Sequence, residues 1–160
     1  MTDRASATIR IGGAIRNDLI EPRIDAIGGD HGMLDWVGKT VDASHIVDGA
    51  NVEICANGLI GGQFDHVEDC CNRHRIPYVR NSDPCVGAFS AQCAVHTGDG
   101  VPCYYCTNES ERVVMTRSEL NELGTIAAAN AWFDAAEFEL PPIAIIVDDG
   151  SSTFEEKSRD

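Results

Sequence analysis

Cys103 and Cys106 come nearest to a chemical signature in this chain. A Cys-x-x-Cys step lets two thiolates reach one tetrahedral zinc ion, as a zinc knuckle does. A structural site needs two more ligands. The nearest thiols are Cys85 and Cys93, with His96 able to replace one, so the candidate metal set is Cys85, Cys93, Cys103 and Cys106. Seven residues separate Cys85 from Cys93, so no second knuckle exists. The competing reading is a ribbon of small buried thiols, because free cysteine packs as a small hydrophobe. A redox dithiol would need a helix N-terminus to lower the first thiol's pKa. Tyr104 and Tyr105 favour a strand there instead.

Two other groupings carry less. His66, Cys70 and His74 recur at helical steps of four, so two of them could share a metal. His74 also belongs to an apolar face, and a histidine suits a helix C-terminus, so the set reads as structural. Asp148-Asp149 follow the apolar run Ile143 to Val147. Carboxylates at a strand end can hold Mg2+ in nucleotide enzymes. Neither G-x-x-x-x-G-K-[ST] nor a strand followed by G-x-G-x-x-G accompanies them, so they read as solvated acids. There is no G-x-S-x-G and no recognised Cys-His signature. An enzyme would have to assemble its site from dispersed residues.

Charge excludes more than any motif does. Of 160 residues, 26 are Asp or Glu and 12 are Lys or Arg, a net charge of −14. Nucleic-acid backbones and anionic membranes both demand cations, so direct binding to either is disfavoured. The sign suits a basic partner, although acidity can also serve solubility alone. No apolar run approaches the roughly 18 residues of a membrane span. The polar start, Met1 to Ala7, has no signal-peptide character, which predicts a cytoplasmic protein. Seven cysteines, an odd number in that compartment, argue for metal ligands or buried thiols over a disulfide framework.

These residues need a scaffold, and the periodicity suggests an α+β one. Ala7 to Ile11 alternates as a strand does, and Gly12-Gly13 ends it. Asp18 and Glu21 could form a capping box before a helix carrying Ile20, Ile24 and Ile27. His45 to Val47, Asp48-Gly49, and Asn51 to Ala56 read as a hairpin. Phe64, Val67, Cys71 and His74 share one face of a second helix, and Ile76 to Arg80 reads as a strand. The order predicts a ferredoxin-like βαββαβ core over about residues 7–80. Residues 83–147 extend it. They hold a cysteine-containing β-ribbon with arms near 88–95 and 101–106, and a strand near 112–115. A third helix follows, with a Thr116/Glu119 capping box and Leu120, Leu123 and Ala127 on it. The last strand, Ile143 to Val147, is expected to be buried on both sides, and 150–160 to be a disordered tail.

The first functional expectation is a non-enzymatic acidic interaction protein that docks on a basic, nucleic-acid-binding protein. Its carboxylates would lie where phosphates would. Small acidic inhibitors, anti-restriction and anti-CRISPR proteins among them, offer an analogy of size and charge only. A zinc-stabilised accessory module is the second expectation. A small enzyme with a site invisible in sequence is the third.

Overall fold

The computed structural model describes residues 3–147; Asp148-Asp149 and the tail expected at 150–160 lie outside the described residues. The strands are β1 (Arg4–Ile11), β2 (Ala14–Arg16), β3 (Val52–Ile60), β4 (Tyr78–Ser82), β5 (Gln92–His96), β6 (Cys103–Cys106) and β7 (Ala144–Ile146). The helices are α1 (Ile20–Gly29), α2 (Asp65–Arg73), α3 (Arg117–Leu123) and α4 (Ile126–Ala136). The chain is a mixed α+β fold around a five-stranded antiparallel sheet of order β3-β1-β4-β5-β6.

The alternation in β1 becomes two chemically different sheet faces, because successive side chains in a strand point to opposite sides. Ala7, Ile9 and Ile11 are buried on one side. Ile9 faces Ile54 on β3 and Arg80 on β4. This side packs against α1 and α2 through Ile27, Phe64, Val67 and Cys71. The helical face read from Phe64, Val67 and Cys71 is therefore the buried face, while His74, the C-cap of α2, is half-buried. Thr8 and Arg10 point to the other side, which is covered only in part. There Val79, Cys93, Val95 and Tyr105 pack with Val113, Trp132, Ala136 and Phe138. The rings of Tyr105 and Trp132 meet edge to face at 5.1 Å.

The strand order departs from the expected ferredoxin-like core, and the second strand is where it departs. Residues 43–45 form a 3-10 turn instead of a hairpin arm. Asp42 caps it: its carboxylate accepts the Ser44 N–H at 2.9 Å, and its own N–H donates to His45 Nδ1 at 3.0 Å. Asp48-Gly49 then serves a long-range contact. The Asp48 carboxylate accepts the Ile145 N–H at 2.6 Å, and the Gly49 N–H donates to Ile143 O at 2.9 Å. Residues 48–50 are thus tied to Ile143 and Ile145, and no hairpin forms at Asp48-Gly49. The sheet grows past β4 instead, by the ribbon of β5 and β6.

Other boundaries shift for local reasons. Asp18 bonds Arg16 and does not cap α1; a 3-10 turn over Asn17–Leu19 leads into that helix. Pro22 falls in the first turn of α1, where its missing N–H costs no helix bond. Thr116 caps α3 by accepting the Glu119 N–H. Gly124, at φ 84°, ends that helix. Thr125 caps a separate α4, so the expected third helix is two. The strand near 112–115 is reduced to a single bridge, Thr107 to Val113.

β7 is not buried on both sides: Ala144 and Ile146 are exposed and Ile145 is half-buried. It pairs in parallel with β2. Gly12 makes this possible. A Cβ there would lie 2.0 Å from the Pro141 carbonyl oxygen, so only glycine lets the two chain segments approach.

Candidate functional site

The four candidate zinc thiols do not converge. Cys103 and Cys106 stand three apart on edge strand β6, so they project from opposite sides of it. Cys93 lies across from Tyr105 on β5, and its side chain joins the core under α4. Cys85 sits in the turn closed by its bridge to Phe89. All seven cysteines are free thiols. No group of three or more His, Cys, Asp or Glu among the described residues is placed to hold a metal ion. On α2, Cys70 is buried while His66 is exposed, so these two do not form a shared ligand pair. His66 is bonded elsewhere: its Nδ1 lies 2.8 Å from Asp30 Oδ1. The same Asp30 carboxylate accepts the backbone N–H groups of His66 and Val67, so a residue just past α1 caps α2.

Beneath α2 lies a buried polar network. Glu68 Oε2 is 2.7 Å from Arg80 Nε and accepts the Phe64 N–H at 2.8 Å. Glu68 Oε1 accepts from the Tyr78 hydroxyl at 3.3 Å. Arg80 Nη1 donates to Gly62 O at 3.1 Å and to Ser82 Oγ at 3.2 Å. The Tyr78 ring stacks on His96 at 5.4 Å. Burial pushes the Glu68 carboxyl up, and Arg80, the Phe64 amide and Tyr78 pull it back down. Burial likewise raises the Tyr78 hydroxyl. Arg80 and Tyr78 are fully buried and His96 nearly so. No substrate reaches this cluster as it stands, and its role is to lock α2 onto β4.

The accessible site is on the other face of the sheet. α4 covers β4, β5 and β6 but leaves the β3-β1 side open. Segment 33–36 folds over the outer edge of β3, where Met33 pairs with Cys55. Between that segment and the loop at Glu111 is a cavity of about 380 Å³ lined by Thr8, Arg10, Asp35, Trp36, Glu53 and Asn81. It shares Arg10 with depressions under Phe138 and Pro141, and shares Glu111 with a hydroxyl-rich hollow of about 550 Å³ along Asp83, Ser90, Thr107 and Ser110. These hollows adjoin through their shared lining residues and make up the groove on this side of the sheet.

The groove has a decided charge. Asp35, Glu53, Asp83, Glu109, Glu111, Glu137 and Glu139 line it, and all are exposed. Among the described residues its only cations are Arg10, half-buried on the floor, and Arg112. None of the ion pairs among the described residues involves a groove residue. Asp35 is held ionised: its carboxylate accepts the N–H groups of Lys39, Val37 and Gly38, which lower its pKa. Arg10 and Glu53 are cross-strand neighbours without a bond between them.

Single-residue reading missed this site because its acids come from β3, the loops at 35, 83 and 109–111, and the segment after α4. The one visible signal was the outward face of β1 and β3, where Thr8, Arg10 and Glu53 alternate with core residues. No family model matches the chain, no curated protein matches it, and no solved structure matches it. No helix among the described residues is long and apolar enough to cross a membrane.

Proposed function

We propose that this chain is a non-enzymatic acidic interaction protein that seats a basic protein surface in the sheet-face groove. The observation that carries the reading is the charge of that groove: among the described residues, seven carboxylates outside any ion pair against two guanidiniums. Carboxylates left unpaired in a concave surface focus a negative potential there, which speeds encounter with a cation and selects against anions. A protein surface that ordinarily binds nucleic acid matches that sign, and the groove acids would then stand in for phosphates. Arg10 on the floor restricts where a basic side chain can sit, because a like charge directly above it is repelled. Trp36, 54% exposed at the rim, offers a ring face on which a guanidinium can stack.

Calorimetric titration with an arginine-rich peptide tests this. Binding is expected at low salt and falls several-fold at physiological salt, because exposed charges are screened within about 8 Å. The double variant Glu53→Gln/Glu111→Gln weakens it at low salt, and the protein displaces DNA from a basic DNA-binding partner. Binding indifferent to salt, or unchanged in the double variant, would sink the proposal.

A further inference from the structure

Among the described residues two guanidiniums are fully buried, and only one has a counter-charge. Arg80 is paired with Glu68. Arg23, on the inner face of α1, is 0% exposed. Its Nε, Nη1 and Nη2 are all closed from solvent, and none has a hydrogen-bond partner. The two buried carboxylates among the described residues are committed elsewhere. Glu68 serves Arg80, the Phe64 amide and Tyr78, and Asp30 serves His66 and the amides that open α2.

An arginine cannot escape this situation by losing its proton, as a buried lysine or glutamate can. A desolvated charge with neither partner nor counter-ion costs several kcal/mol even after the surroundings relax. A negative ion beside it would offset that cost. The nearby thiol is Cys71, on the facing side of α2, close enough to feel the Arg23 charge. Burial nevertheless pushes that thiol up to about 12, so it stays protonated at neutral pH.

We propose that the α1–α2 layer encloses a small monovalent inorganic anion, of the chloride or bromide class, held by the Arg23 guanidinium. Complete enclosure restricts the occupant to an ion of that size. Monovalence balances the single excess charge. This site lies on the opposite side of the sheet from the acidic groove and stands or falls independently of it.

Thermal unfolding at constant ionic strength, with chloride replaced by gluconate, tests the proposal. Gluconate is too large to be enclosed. The wild-type protein is expected to lose roughly 5 °C of Tm on replacement, and bromide to restore it. Arg23→Met, which keeps the length and removes the charge, is expected to unfold at one temperature in all three salts. Cys71→Ala is expected to keep the anion dependence. Wild-type protein indifferent to the anion overturns the proposal, and so does Arg23→Met responding like wild type. Loss of the dependence in Cys71→Ala also overturns it, because the anion would then act through the thiol and not through the guanidinium alone. Should Arg23→Met fail to fold, crystals of the wild-type protein in bromide decide the matter. An anomalous peak within hydrogen-bond distance of the Arg23 guanidinium supports the site, and its absence overturns it.

Discussion

The two faces of the central sheet handle charge in opposite ways. Under α1 and α2, Glu68, Arg80 and Asp30 are buried and spend their hydrogen-bonding capacity on the protein itself. On the face shared by α4 and the open groove, the carboxylates are exposed and none is in an ion pair. The same residue types thus serve architecture on one side and are left for an external partner on the other. Acidity as such is therefore a poor guide to function. What separates the faces is whether each carboxylate has an internal partner.

The largest expected effect breaks the buried side. Glu68→Gln leaves the Arg80 guanidinium enclosed without a counter-charge, and should cost about 3–5 kcal/mol in denaturant unfolding. A loss below roughly 1 kcal/mol would mean that the network is hydrated and that the two faces differ less than described.

A smaller effect sharpens the boundary of the buried side, where His66 is exposed while its partner Asp30 is enclosed. The Asp30 carboxylate raises the His66 pKa, first by hydrogen bonding and then by charge. A histidine whose folded pKa is raised binds its proton more tightly when folded. The stabilisation is therefore complete below the unfolded value of about 6.5 and is lost as pH rises through the raised folded value. The unfolding midpoint should fall across that window in wild-type protein, and His66→Gln should flatten the fall. An unchanged slope in His66→Gln would assign the pH dependence to another group.

The smallest stability effect belongs to the groove. Glu53→Gln/Glu111→Gln should leave stability within about 0.5 kcal/mol, since neither acid has an internal partner to lose. A clear loss would show that these carboxylates hold the fold together, and the contrast between faces would fail.

Local signals were legible where nothing distant competed. Phe64, Val67 and Cys71 on α2, the alternation of β1, and the Thr116 cap of α3 all have a cause within a few residues. The Asp48-Gly49 turn is the counter-example. It carries the local signature of a hairpin, yet Asp48 and Gly49 bond to Ile145 and Ile143, nearly a hundred residues on. The cysteine ribbon was half legible. Its two arms exist, but β-strand alternation sends Cys103 and Cys106 to opposite sides of β6, which spacing alone did not reveal.

The amino-acid sequence by itself determined the net charge of −14, the mixture of helices and strands, and the apolar faces those elements must bury. These follow from residue type and short-range periodicity. Only the tertiary structure decided which acids are internal and which are left facing outward. It also gathered Asp35, Glu53, Glu111 and Glu137 around one groove and left Arg23 enclosed without a partner. The physical reason is that a charge takes its meaning from what lies within a few ångströms of it. In this chain those neighbours come from segments far apart in sequence.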